Sequence, residues 1–382
     1  MSGLYLHFPF CNSKCIYCSF YSIASLKNQK EFIDALLQEI ELRKNDLQND
    51  EIQTLYFGGG TPSLFSIDEL SSIIDKLKQS FAFGSSFEFT FEANPEQCTI
   101  EYLTALQKLG INRLSIGIQS FNDDVLHFLG RKHDANHAIL AVQNAQKAAF
   151  SNISIDLIYG ILNRKVGEWQ QDLDIALSLP IKHLSAYALT VEENTKLFKQ
   201  LSKNLSIPSL IGKDQDEELA ISDMKILLEA IKKSPFCRYE VSNFAIQGFE
   251  SKHNSNYWNG THYLGLGPSA HSYDGDFRSW NVSSLTKYVD GIVHGKPIIE
   301  YEKLTISDKF NEAIMLGIRT SKGVLISEIS KKYGEAFVQH LLHQLVTLDS
   351  DLYELSEGVL TVTEKGFPLL DHITEILFIS ED

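Results

Sequence analysis

The sequence predicts an α/β fold: an incomplete parallel (β/α)6 barrel, TIM-like, followed by a C-terminal α+β region patterned like a winged helix. Three observations lead there. Apolar runs rich in Val, Ile, Tyr and Phe alternate with stretches whose apolar residues recur three and four apart, and strands alternating with helices build parallel sheets through right-handed crossovers. Six such units fit before about Thr190, fewer than the eight that close a barrel. Beyond residue 300 the order changes to helix, helix, turn, helix and a small hairpin.

The first strand is LYLHF (4–8), followed by a cysteine-bearing loop and the helical pattern EFIDALLQEIELRK (31–44). IQTLYFGGG (52–60) ends in glycines and leads into the helix IDELSSIIDKLKQS (67–80). Four further runs read as strands: FEFTFEANP (87–95), RLSIGIQSF (113–121), ISIDLIYG (153–160) and HLSAYALT (183–190). Chemistry in such sheets gathers at the C-terminal strand ends, which singles out Gly58 to Thr61, Glu92, Gln119 and Asp156. Each alone has a structural explanation, a tight turn with a helix cap or a carboxylate satisfying backbone amides; their shared location makes them a candidate site.

The barrel is assigned to residues 1–193 and a connecting, ligand-binding region to 194–300. That region holds an acidic helix, DQDEELAISDMKILLEAIKKS (214–234), and then a segment crowded with aromatics and glycine. The winged-helix-like region spans 301–382. Such modules ordinarily bind DNA, but seven Lys/Arg face fourteen Asp/Glu here, which argues for a packing role. The whole chain carries a net charge of −15 without a dense basic cluster, so nucleic acid is not an expected partner. No apolar run approaches the ~18 residues that span a bilayer. No basic n-region precedes an apolar core at the start. A cytoplasmic location is expected.

Three of the five cysteines, Cys11, Cys15 and Cys18, fall within CNSKCIYCSF, on the loop after the first strand. Structural zinc sites want four closed ligands, typically from two C-x2-C pairs, and Cys98 and Cys237 stand isolated. Three thiolates suit an iron–sulfur cluster with one iron left open, a position a chelating small molecule can take.

The spacing C-x3-C-x2-C with Tyr17 before the last cysteine, and GGGTP after the second strand, resembles the radical S-adenosylmethionine (SAM) superfamily. The likeness extends through YFGGGTPS, FEANPE, LSIGIQSFND, LGRKH and IDLIYG to the branch containing oxygen-independent coproporphyrinogen III dehydrogenase and a haem chaperone. It implies a 4Fe-4S cluster on Cys11, Cys15 and Cys18, with SAM chelating the fourth iron. It further implies SAM contacts at Tyr5, Tyr17, Gly59, Gly60, Thr61, Glu92, Gln119, Arg131, Asp156 and, as a weaker match, Ala188. The residue types fit: glycines let backbone approach closely, carboxylates accept from hydroxyl and ammonium groups, and a guanidinium pairs with a carboxylate.

Two departures separate the branches. The decarboxylating enzymes carry a further cysteine two residues past the third, where this chain has Phe20, and a longer segment before the first strand. HNSNYW (253–258) resembles the H-N-x-x-Y-W motif of the chaperone branch. An imidazole is a standard axial ligand to haem iron and aromatics border porphyrins, so His253 is a haem-ligand candidate, with Asn254, Tyr257 and Trp258 around it. Histidines are more often simply hydrogen-bonded; His262 and His271 are further candidates. The resemblance thus implies a haem chaperone without coproporphyrinogen dehydrogenase activity, passing haem to an acceptor haemoprotein such as a respiratory enzyme. The alternative is radical oxidative decarboxylation of coproporphyrinogen III. A homodimer is compatible with the sequence.

Overall fold

The computed structural model describes residues 2–47, 50–161, 164–204 and 215–380. Six strands, β1 (Ser2–Phe8), β2 (Ile52–Gly59), β3 (Phe83–Ala93), β4 (Arg113–Gln119), β5 (Asn152–Tyr159) and β6 (His183–Ala188), lie side by side in chain order, all parallel. Helices connect them, among them Gln29–Leu42 and Ile67–Ser80, the latter opened by a Ser66–Glu69 capping box. This is the expected six-stranded arc.

The arc continues at both edges. Beside β6 run the short antiparallel strands β7 (Cys237–Arg238) and β8 (Asn243–Ala245). On the other side, β9 (Tyr263–Leu266) pairs parallel to β1, and β10 (His271–Tyr273), β11 (Phe277–Asn281) and β12 (Ile299–Lys303) follow antiparallel, giving a twelve-stranded sheet. The acidic helix is Gln215–Lys232, and its expected first residue, Asp214, lies outside the described residues.

Parallel strands covered on both faces usually read as continuous apolar runs. Here they alternate. Leu4, Leu6, Phe8, Leu55, Phe57, Phe89, Phe91, Ile153, Ile155 and Leu157 form the outward layer beneath the helices, each at most 1% exposed. The intervening positions carry Tyr5, His7, Thr54, Tyr56, Glu88, Thr90, Glu92, Arg113, Ser115, Ser154, Asp156, His183 and Ser185. Since successive side chains point to opposite faces, these polar groups share the inner face, and the barrel interior is built from donors and acceptors.

The short helix Lys252–Trp258 closes the floor of this interior. Ser251 caps it, and Glu88 accepts from the amides of Lys252 and His253, both at 3.0 Å. A buried carboxylate at a helix N-terminus satisfies orphan donors and complements the dipole.

The C-terminal region has its own apolar cluster around Phe310, Ile314, Leu341, Leu360 and Ile373. Helices Ile306–Ile318, Ile326–Tyr333 and Glu335–Leu345 precede a hairpin of β14 (Tyr353–Ser356) and β15 (Val359–Val362). A third strand, β13 (Val324–Leu325), pairs with β15, and the helix Leu370–Leu377 completes the region. The cluster meets the rest of the chain through Met224 and Val241. Among the described residues no helix is long and apolar enough to cross a membrane.

Candidate functional site

A cavity of about 420 Å³ opens at the C-terminal ends of β1 to β6. Its rim is the loop after β1, pinned at its base by Cys11 N–H to Ile23 C=O (3.0 Å) and Ile23 N–H to Pro9 C=O (2.7 Å). A second tie runs from Ile16 N–H to Leu129 C=O at 3.3 Å. All three motif cysteines line the cavity. Two of them receive hydrogen bonds at sulfur, Cys11 from the Thr61 hydroxyl and Cys15 from Arg131, each at 3.5 Å. Burial pushes the Cys11 and Cys18 thiols up, so metal binding there would have to release their protons. Among the described residues no three His, Cys, Asp or Glu are grouped to hold a single metal ion. Three thiols lining one cavity without converging on a point suit a multi-iron cluster, whose ligands bind different irons.

The glycines after β2 are required by close approach. Gly59 has φ +102°, and a Cβ there would stand 2.6 Å from the His7 ring. A Cβ on Gly60 would stand 2.6 Å from the carbonyl oxygens of both Phe8 and Phe10. The end of β2 thus lies directly against the cysteine loop, with bare backbone facing the cavity.

Deeper in, Glu92 accepts from the Tyr56 hydroxyl at 2.7 Å and from Gly59 N–H at 3.1 Å. Burial pushes its carboxyl up to about 7, against those two hydrogen bonds, and the negative charge of Asp156 adds to the rise. Asp156, which accepts from Ser115 at 3.2 Å, is also raised by burial. Opposite sit two cations, Arg131 half-buried and Arg113 buried. Arg131 donates to Asn94 Oδ1 (2.8 Å) and Gly117 C=O (2.6 Å); Arg113, 1% exposed, has its best donor 3.5 Å from Thr90 Oγ1. The Nε atoms of both are buried without a partner. Gln119 ends β4 with φ +75°, a left-handed conformation costly for a non-glycine residue.

The carboxylate sets a pH dependence. Below about 7 the folded chain keeps Glu92 protonated, whereas the unfolded chain releases that proton near 4.5, the ordinary value of a glutamate. The folded state therefore binds more protons between those values, and stability falls as pH rises through them. Glu92→Gln mimics the protonated acid and lacks this loss. The stability of the cluster-free variant relative to wild type should rise by on the order of 2–3 kcal/mol between pH 4.5 and pH 8, read from urea midpoints. A relative stability independent of pH would contradict it.

Of the residues expected at a SAM site, Tyr17, Gly59, Gly60, Thr61, Glu92, Gln119, Arg131, Asp156 and Ala188 all line this cavity. Tyr5 does not; it sits one layer lower, its hydroxyl 3.1 Å from His7 Nδ1 and its ring over His253. From HNSNYW only Asn254 lines the cavity. His253 lies in the floor, 2% exposed, with Nδ1 2.8 Å from Thr54 Oγ1 and Nε2 3.0 Å from the Tyr257 hydroxyl. Burial and the charge of Arg113 push its pKa down to about 3. Tyr257 packs edge-on against Tyr263 at 4.7 Å, and Trp258 is half-buried. A haem iron could reach His253 only by breaking one of its two hydrogen bonds. Asn94, Arg113, Tyr56, Ser115 and Tyr187 also line the cavity. Sequence reasoning passed over them, although the alternation of strands β2 to β6 points most of them inward.

Residues 5–176 match the Radical SAM superfamily and residues 304–369 the HemN C-terminal domain. The chain is 33% identical to the heme chaperone HemW of Bacillus subtilis (strain 168), covering 96% of each chain. It is 30% identical to the heme chaperone HemW of Lactococcus lactis subsp. lactis (strain IL1403), over 98% of this chain and 96% of that one. Its fold is similar to the solved structure of the radical SAM enzyme coproporphyrinogen III oxidase (HemN) from Escherichia coli. The TM-score is 0.84 at 23% identity, over 98% of this chain and 89% of that one.

Proposed function

The chain belongs to the radical SAM superfamily and, within it, to the family of the haem chaperones HemW, and from that premise we propose that it binds haem and passes it to an acceptor haemoprotein. Full-length likeness to HemW proteins carries this reading, together with Phe20, 68% exposed on the cavity rim where the decarboxylating branch has a cysteine.

In this reading Cys11, Cys15 and Cys18 hold a 4Fe-4S cluster and an exchangeable SAM completes it. The bare backbone of Gly59 and Gly60 and the Thr61 hydroxyl meet the methionine end. Arg131 faces a carboxylate, and Glu92 accepts from ammonium or ribose hydroxyls. Gln119, Asp156 and Ala188 border the adenosyl moiety, with Tyr17 beside the cluster and Tyr5 supporting it from below. When bound, such a cluster supplies single electrons to the sulfonium of SAM. The buried cations and carboxylates of this chain orient a zwitterionic ligand and exclude water, since opposite charges interact more strongly in a desolvated pocket. The barrel (1–193), the connecting region (194–300) and the winged-helix-like region (301–382) divide the labour as cluster site, haem site and packing module.

The test is to load the reconstituted chain with haem and present it to an apo-haemoprotein, with a parallel incubation on coproporphyrinogen III, SAM and a low-potential reductant. Haem transfer without vinyl product supports the reading. Vinyl product would replace it with oxidative decarboxylation.

A further inference from the structure

Three polar side chains beside the cysteine loop form one run of hydrogen bonds that ends on sulfur at both ends. The Thr61 hydroxyl donates to Cys11 Sγ at 3.5 Å and accepts from Asn94 Nδ2 at 3.3 Å. Asn94 Oδ1 accepts from one terminal nitrogen of Arg131 at 2.8 Å, and the other donates to Cys15 Sγ at 3.5 Å. Asn94 thus stands between the donors to two of the three motif sulfurs. Donor chemistry admits one orientation of its amide: a guanidinium can only donate, so Oδ1 faces Arg131 and the amine faces the hydroxyl.

The backbone leaves Asn94 little freedom. It follows β3 directly and precedes Pro95, which confines it to extended conformations, and its φ of −90° and ψ of 148° comply. Its N–H donates to Ser63 Oγ at 3.3 Å, and its carbonyl accepts from Gln97 N–H at 3.1 Å and from the Cys98 thiol at 3.4 Å. Asparagine at a helix start ordinarily caps it. Here Asn94 opens the 3-10 turn Pro95–Gln97, but its side chain does not cap that turn; the amide is given to the cavity, which Asn94 lines. Arg131 is held from a second side by the Gly117 carbonyl at 2.6 Å.

Hydrogen bonds to the sulfurs, and the outer residues that orient them, set the potential of an iron–sulfur site. Donors at sulfur favour the reduced level, which carries more negative charge, because hydrogen bonds to ionised acceptors are the stronger ones. We propose that Asn94 is a positioning residue for the cluster, holding Thr61 and Arg131 so that both donate to its cysteine sulfurs and raise its reduction potential. The proposal rests on the reading of Cys11, Cys15 and Cys18 as cluster ligands. Thr61 and Arg131 are also expected SAM contacts, so one side chain sets the geometry on the cluster side and on the SAM side together.

The test is a redox titration of the reconstituted full-length chain without SAM, followed by electron paramagnetic resonance. Wild type is compared with Asn94→Ala, Thr61→Val and the double variant, with iron content and the urea midpoints of the cluster-free chains as controls. All three cysteines remain, so the variants should keep the wild-type iron content. Asn94→Ala should move the midpoint potential negative by about 59 mV or more, a tenfold change in a one-electron equilibrium. Thr61→Val, which removes the Cys11 donor and leaves Arg131 in place, should shift it less. Asn94 reaches Cys11 through Thr61, so the double variant should fall short of the sum of the two shifts. Iron-loaded variants at the wild-type potential, or fully additive shifts, would overturn the proposal and leave the cluster reading intact. If Asn94→Ala takes up no iron, Thr61→Val decides alone: a negative shift supports the proposal and an unchanged potential overturns it. If wild type itself takes up no iron, the cluster reading falls and the proposal with it.

Discussion

If Cys11, Cys15 and Cys18 hold the proposed cluster, exchange of Cys15 for serine is expected to strip the chain of it. Only three thiols line the cavity, so one lost ligand leaves a cube with two protein attachments. The damage does not stop at the sulfur. Arg131 donates to Cys15 at 3.5 Å, so the change also alters a contact of the guanidinium beside the cavity. Iron content after anaerobic reconstitution should fall from about four per chain toward zero, and SAM binding in equilibrium dialysis should go with it. Cys98→Ser is the control: that cysteine is 3% exposed beneath the cavity, its sulfur donating to the Asn94 carbonyl at 3.4 Å. It should leave the iron content unchanged. Wild-type iron in the Cys15 variant would contradict the assignment of the cavity as a cluster site.

Glu39→Ala should bring the largest loss of stability. Glu39 is fully buried on the helix Gln29–Leu42 and accepts from Gly267 N–H (2.7 Å), Asn281 Nδ2 (2.6 Å) and the Tyr288 hydroxyl (2.6 Å). Arg43, one turn on, lies 3.5 Å from the same carboxylate and donates to Gly265 C=O at 3.0 Å. This network ties β9 and β11 to a barrel helix. Removing its centre strands three donors and leaves the buried Arg43 with Asp46 as its remaining carboxylate, 2.8 Å from Nε, a change that costs about 3–5 kcal/mol. The urea midpoint should drop accordingly. Glu39→Gln, which keeps an acceptor oxygen, should lose less. An alanine variant within 1 kcal/mol of wild type would show that the network does not hold β9 and β11 in place.

The six parallel strands were legible because each is long enough to show its period, and LYLHF, FEFTFEA and SIDLIY alternate apolar with polar. The same alternation carries the site: Tyr56, Glu92, Ser115 and Asp156 share the inner face by register. The six-unit count stopped short because β7 to β12 are two to five residues long, and THYLGLGPSAHSY reads as a glycine-rich loop. Only the pairing of Gly265 with Tyr5, a long-range contact, turns it into sheet. HNSNYW shows the complementary difficulty. As a string it offers an imidazole among aromatics, but Glu88 and Thr54, distant in sequence, join Tyr257 of the string itself in folding it into the barrel floor, and nothing local announces those two.

The proposed function requires that haem held by the chain be released to another protein. The most direct measurement mixes the haem-loaded, cluster-reconstituted chain with an apo-haemoprotein and follows the Soret band of each, with and without SAM. The account predicts that haem leaves this chain stoichiometrically and appears in the acceptor faster than it would from free haem at the same concentration. Haem that stays bound, or that reaches the acceptor only at the rate of its spontaneous loss to solution, would contradict it.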